Sequence, residues 1–405
     1  MNSYVDRCRE VGISILKPSQ RDLDYGLKLH EDSLVFDSYG FAPRAAVDSE
    51  VLREAAEAGA SDLELQDLSE DMSMSRWAEN ETEKEEYRRA WEYAGVDCIF
   101  QNAGEEGQSI SRLLKRLARF TYAADFGRDV LSRASLPEDV EQAKRDGKRC
   151  LYFSGNGVPL AEDWNSVHEE LRYIRVFFQL GIRMMHLTYN RRNMIGDGCA
   201  EPANAGLSDF GRAVIAEMNR VGVIADCAHS GWQTSLEAAR ASSMPMVCSH
   251  SGCANVNAHH RCKPDEVIRA ICDTGGYIGI CCIPAFLGGS GDINAFLNHI
   301  DHVVKVFGAD HVTIGTDTAY SSRTPASQQG GVPRHKSRPR WENFWQPNDP
   351  LFDRTWHEPQ MQESLAWTNW PLFTVGMVQR GYNDEDIRKI LGGNVLRVAK
   401  AVLRR

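Results

Sequence analysis

Residues 206–252 read GLSDFGRAVIAEMNRVGVIADCAHSGWQTSLEAARASSMPMVCSHSG, a pattern of helix, strand, helix, strand. Ser208 followed by Asp209 opens the first helix as an N-cap with a carboxylate near the positive end of the helix dipole. The apolar run from Val223 to Ala228 follows and closes at His229. Residues 232–241 return as a helix with Leu236 and Ala239 on one side and Arg240 on the other, and the run from Pro245 to Ser249 closes at His250. In a parallel βαβ unit the carboxyl ends of adjacent strands open into one mouth, so His229 and His250 can reach a common ligand. One buried histidine reads as a hydrogen-bonded core residue. Two at equivalent strand ends read as a metal-binding or catalytic pair.

The rest of the chain repeats this rhythm. Apolar runs begin at Leu34, Val96, Cys150, Ile182, Tyr277 and Val312, with helical patterns between most of them, including 49–60, 78–93, 110–122, 167–180, 264–273 and 293–307. Together with the two runs above they predict an α/β fold, a (β/α)8 TIM-like barrel with its functional groups at the strand carboxyl ends. Residues 1–33 form an N-terminal preface of helical or irregular character, and 34–405 form the barrel. Asp317 closes the eighth run, at the same rim as the two histidines. Residues 190–205 form a polar loop rich in Gly, Asn and Arg, and 319–360 form a polar insertion without periodicity, expected over the barrel mouth or at a subunit contact. The turn Ser154-Gly155-Asn156-Gly157 lacks the lysine and spacing of a phosphate loop. The 384–403 segment reads as a helix pair broken at Gly392-Gly393.

Composition narrows the function classes. A net charge of -10 and a pI of about 5.7 exclude the basic footprint of a nucleic-acid partner. No apolar run reaches bilayer-spanning length and the first residues lack a signal-peptide core, so the expectation is a soluble cytoplasmic protein with no membrane partner. Many of the eleven cysteines, among them Cys98, Cys150, Cys227, Cys248, Cys281 and Cys282, lie in or beside apolar runs, as reduced buried thiols do.

With the strand ends in view, the sequence resembles the renal (membrane) dipeptidase family, zinc-dependent barrels related to the amidohydrolases. The blocks that carry the resemblance are GLSDFGRAVIAEMNRVGVIADCAHSG, 245–252, HRCKPDEVIRAICDTGG from His260, HVTIGTD from His311 and GYNDEDIRKILGGNVLRVAKAV from Gly381. The resemblance implies that His229 and His250 bind the second zinc of a family pair, that Arg261 holds the substrate carboxylate through its guanidinium fork, and that Asp317 transfers a proton. It also implies a homodimer. The departures are equally specific. Tyr39 and Phe41 stand where the family carries the first-strand His-x-Asp, Gly155 aligns with the bridging Glu, and Tyr189 replaces a fourth-strand histidine.

Ligand counting follows from these replacements. A catalytic zinc takes about three protein ligands plus water. The first-metal site keeps none, so a dinuclear centre is not expected, and at most one zinc or other divalent ion remains on His229 and His250, with Asp317, Cys227, Cys248 or Asn156 as a third ligand. The resulting expectation is a dipeptidase-like hydrolase acting on an amide or related bond of a small carboxylate-bearing substrate. Arg261 and Asn156 would bind the substrate, and Asp317, Tyr189 and Tyr39 would serve the chemistry. The alternative is a metal-independent lyase, isomerase or decarboxylase in which the two tyrosines donate to a developing oxyanion. A non-catalytic binding module is the third reading.

Overall fold

The computed structural model describes residues 3–104, 109–162, 165–324 and 342–403. Among the described residues, nine parallel strands form two arcs. The first arc contains β1 (Phe36–Gly40), β2 (Cys98–Asn102), β3 (Leu131–Arg133), β4 (Arg149–Gly155), β5 (Ile182–His186) and β6 (Ile224–Asp226), in the order β1-β2-β4-β5-β6 with β3 also on β4. The second contains β7 (Cys248–Ser251), β8 (Ile278–Ile280) and β9 (Val312–Ile314), in that order. A parallel bridge between Asp226 and Val247 joins the arcs on one side. On the other, Asp317 N donates to Tyr39 O at 3.0 Å and Thr316 N donates to Asp37 Oδ1 at 2.9 Å, tying the end of the β9 region to β1. The expected barrel is thus present, and each of the eight expected runs contains a strand.

The ninth strand, β3, was not expected from the sequence. Three residues are too few to show a period, and β3 pairs only with the first half of β4 (Leu131 with Arg149, Arg133 with Leu151), leaving the second half to β5. Strand alternation then sorts the core. Phe36, Phe100, Tyr152, Met184, Ile224 and Tyr277 cluster with Val395, Val398 and Val402 of the last helix, Asn394–Val402, which plugs the amino end of the barrel. Neighbours along the same strands, such as Ile99, Leu151 and Met185, pack outward into the main cluster. With the amino end filled, the carboxyl end is left for function.

The preface holds two helices, Ser3–Leu16 and Gln20–Asp32, and lies against the helix Trp370–Gln379, whose Val375 side chain leaves no room for a Cβ at Gly26. Of the 319–360 insertion, residues 325–341 lie outside the described residues. Residues 342–364 fold as short turns and the helix Pro359–Ser364, and are drawn onto the mouth by Arg191, which donates to Asn343 O at 3.0 Å and to Trp345 O at 2.6 Å.

One close approach fixes the arc geometry. A Cβ on Gly279 would lie 1.9 Å from Ser249 O, and one on Gly315 would lie 2.0 Å from the same oxygen. Backbone atoms cannot step aside as a side-chain end can, so Gly279→Ala is expected to cost about 3 kcal/mol or more of stability, read as a lower urea midpoint. An unchanged midpoint would show that the arcs can separate freely.

Candidate active site

The sequence places its chemistry at strand ends, and the fold brings those ends together. Ser208 caps the helix before β6 by accepting from Gly211 N at 2.9 Å, and Gly222, at φ 91°, turns the chain into the strand. His229 then follows β6 in a tight turn and His250 lies within β7, with Nε2 atoms 3.0 Å apart. Both rings are buried, and burial, followed by the Arg261 guanidinium, pushes both well below the ordinary imidazole value.

The partners of the other ring nitrogens define the tautomers. Asp226 Oδ2 accepts from Ser249 Oγ, so that hydroxyl has spent its one proton and can only accept from His250 Nδ1, 2.8 Å away. Asn190 Oδ1 lies 2.7 Å from His229 Nδ1 and accepts its proton. Both Nε2 atoms therefore present lone pairs to each other at hydrogen-bond distance, an arrangement that calls for a cation between them.

Asp226 anchors this chain of contacts. Burial alone raises its carboxyl, but His186 and Ser249 more than offset that and hold it below the ordinary range, so it is ionised. His186 Nε2 lies 2.8 Å from Asp226 Oδ2, and the two residues are register partners on β5 and β6. His186, Asp226, Ser249 and Asn190 were all missed in the sequence. His186 ends β5, at the same rim as His229 after β6 and His250 near the end of β7, and that signal could have found it.

The remaining expected residues divide. Tyr39 stacks on His250 with ring centroids 3.9 Å apart and donates to Asn156 Oδ1 at 2.5 Å. Tyr189 stacks on His229 at 4.1 Å. Tyr39, Asn156, Tyr189, His229 and Asp317 line one cavity of about 650 Å³, with Phe41, Phe286, Trp345 and Leu351 on its walls. Asp317 holds φ 55°, a left-handed conformation uncommon for a non-glycine residue, at the strand rim. Arg261 is not on that wall. It is fully buried, donates to Ala228 O and to His250 O, and lies under the Phe286 ring at 5.3 Å.

The donors that the resemblance places around a first metal are replaced. Tyr39 and Phe41 fill the first-strand positions with aromatic rings, and neither Gly155 nor Asn156 can supply a bridging carboxylate. The ligand-type trio that does assemble beside the pair is His186, Asp226 and His250, without His229.

Comparison with known proteins agrees with this architecture. The profile of the membrane dipeptidase family, peptidase family M19, matches residues 27–328. The dipeptidase tcpJ of Claviceps purpurea is 28% identical over 279 residues, which is 68% of this chain and 56% of that protein, so the chain spans about half the length of the curated relative. Among solved structures, an amidohydrolase from Pseudomonas aeruginosa superposes with a TM-score of 0.67 at 23% identity, covering 93% of this chain and 99% of that one. The probable dipeptidase PvdM from the same species superposes with a TM-score of 0.66 at 19% identity, covering 95% and 99%. At these identities the structures establish the shared barrel. The family match covers most of the sequence, and the chain belongs to the membrane dipeptidase family.

Proposed function

We propose that the protein is a dipeptidase-like hydrolase that opens an amide or related bond in a small carboxylate-bearing substrate, with a single divalent ion, zinc by ligand type, on His229 and His250. The observation that carries this reading is the facing pair of Nε2 lone pairs 3.0 Å apart beside a cavity whose wall includes Asp317. Two nitrogens about 2.0–2.1 Å from a tetrahedral ion lie roughly 3.3 Å apart, so the pair is close to ligand spacing already. An ion bound there supplies Lewis acidity toward the scissile carbonyl.

The chain's own groups account for the rest. Asp317 takes a proton from the attacking water and delivers it to the leaving nitrogen. Tyr39 and Tyr189 hold the two imidazoles by their faces, and Asn156 presents its amide to the substrate. Arg261 is the guanidinium that the family resemblance assigns to the substrate carboxylate, while Arg44 and Arg116 are the arginines on the cavity wall itself. The Arg261 Nε is buried without a hydrogen-bond partner, and its guanidinium lies 5.3 Å from the ring of Phe286, which lines the cavity. The free, buried state of all eleven cysteines supports a reducing compartment such as the cytoplasm. Among the described residues, no helix is long and apolar enough to cross a membrane. A homodimer is the assembly proposed from the family resemblance.

The test is metal content together with turnover. Protein purified without added metal should carry an ion that His250→Ala loses, and it should cleave members of a panel of L-L and L-D dipeptides in a chelator-sensitive way. Turnover indifferent to chelators would sink the metal role, and no cleavage of any dipeptide with zinc present would sink the dipeptidase reading. Arg261→Ala should raise KM about tenfold or more with little change in kcat, and an unchanged KM would remove its assignment.

A further inference from the structure

A second cluster of ligand-type side chains lies away from the pair already described. His259 and His260 are in the loop after β7, and Asp349 comes from the segment folded over the mouth. The side chain of Asp349 is 0% exposed, that of His259 4% and that of His260 20%. His259 Nε2 is 3.5 Å from Asp349 Oδ1, and His260 Nε2 is 3.1 Å from Asp349 Oδ2.

These distances would ordinarily suggest hydrogen bonds, yet His259 Nε2, His260 Nε2 and Asp349 Oδ2 are all buried atoms without one. Buried polar atoms left unmade are costly, and three converging on one point require an explanation. The trio's ligand atoms lie within 4.8 Å of one another, and separations of 3.1 and 3.5 Å bracket the roughly 3.3 Å edge of a tetrahedral zinc site. We propose that His259, His260 and Asp349 form a binding site for one divalent transition metal of the zinc class, which clamps the 342–364 segment across the barrel mouth.

The surroundings suit a structural ion. Asp349 is fixed by accepting from Leu351 N at 2.9 Å through Oδ1, which leaves Oδ2 facing His260. The half-wet His260 leaves an entry path and a fourth position for water. One contact opposes coordination. Arg261 N donates to His259 Nδ1 at 3.1 Å, so binding through Nε2 must move the ring proton to Nδ1 and give up that bond. His260 and Asp349 therefore anchor the ion, and His259 completes it at the cost of that tautomer change.

The consequence reaches the cavity. His259 packs on Phe286 at 4.8 Å, Phe286 packs on Trp345 at 5.8 Å, and both Phe286 and Trp345 line the cavity. Filling the clamp thus orders the cavity ceiling without contributing a group to the reaction.

The experiment is a cobalt(II) titration of chelator-stripped full-length protein, read by elemental analysis and by the visible absorption of tetrahedral cobalt. Wild type should bind one equivalent more than Asp349→Asn. His260→Gln, at the partly exposed position where folding is least at risk, should weaken that equivalent at least tenfold. His250→Ala should keep it, which separates this site from the one proposed for catalysis. Cobalt should also slow proteolysis of the 342–364 segment about tenfold in wild type and not in Asp349→Asn. Equal stoichiometry in wild type, Asp349→Asn and a folded His260→Gln would overturn the proposal, and the trio would then be only an ion-paired latch.

Discussion

Acidification from pH 6.5 to pH 4 is expected to remove about 5 kcal/mol of folding stability through His30 and His299 alone, half of it from each. Both are buried, and burial lowers each from the ordinary 6.5 to about 4. Their hydrogen bonds explain why the neutral ring is demanded. His299 donates from Nε2 to Leu287 O at 2.9 Å, and its Nδ1 accepts from Cys253 N, also at 2.9 Å. A backbone N–H cannot turn away, so a proton on Nδ1 would set two donors against each other. His30 donates to Ala94 O at 2.9 Å and faces the Thr374 hydroxyl at 2.8 Å, while Arg9 and Lys144 add repulsion to any positive charge. His302 does the same to His299.

The sign follows from proton counting. Between pH 6.5 and 4 the unfolded chain binds protons at these rings and the folded chain does not, so stability is whole above pH 6.5 and falls as pH drops toward 4. A domain of ordinary stability, about 5–15 kcal/mol, would lose most of its margin. Urea midpoints at pH 7, 6, 5 and 4 read this directly, and His299→Gln should remove its own share of the loss, about 2–3 kcal/mol, leaving that of His30 and of the deeply lowered His229 and His250. A midpoint constant from pH 7 to pH 5 would show that the rings are protonated in the folded state.

How much of this could be read in advance depended on whether a signal was local. The eight principal strands were legible because each apolar run has strand length and is bounded by helical spacing or turn residues. The helix Trp370–Gln379 was not, because eight of its ten residues are buried, leaving no polar face to set a period. His229 and His250 could be found because each closes a strand-like run. The groups that set their tautomers could not. Asp226 is one more residue of an apolar run until β5 and β6 are in register, and Asn190 reaches His229 only because its backbone turns back at φ 56°. The resemblance assigns Arg261 to the substrate carboxylate, but its two carbonyl partners beside the histidines are contacts that only the fold reveals. His259 and Asp349 are ninety residues apart with no motif between them.

Replacing Asp226 with Asn should cut kcat/KM about a hundredfold or more and weaken the ion on His229 and His250 by about 10–100-fold, although it changes no volume. The reason is the direction of one hydrogen-bond chain. Ionised Asp226 can only accept, so Ser249 Oγ donates to it and accepts from His250 Nδ1, leaving a lone pair on Nε2. An amide nitrogen at 226 would donate to Ser249 Oγ instead. The hydroxyl would turn its proton to His250 Nδ1, the ring proton would move to Nε2, and His250 would then offer an N–H to His229 where an ion needs a lone pair. His186, 2.8 Å from the same carboxylate, would lose that carboxylate partner as well. Ser249→Ala breaks the relay without reversing it and should be milder, about tenfold. Tyr39→Phe removes only the hydroxyl bonded to Asn156 and should keep the ion. Zinc competition against a chromophoric chelator ranks the three variants without any substrate. If Asp226→Asn binds zinc as tightly as wild type, the tautomer of His250 is not set by this relay.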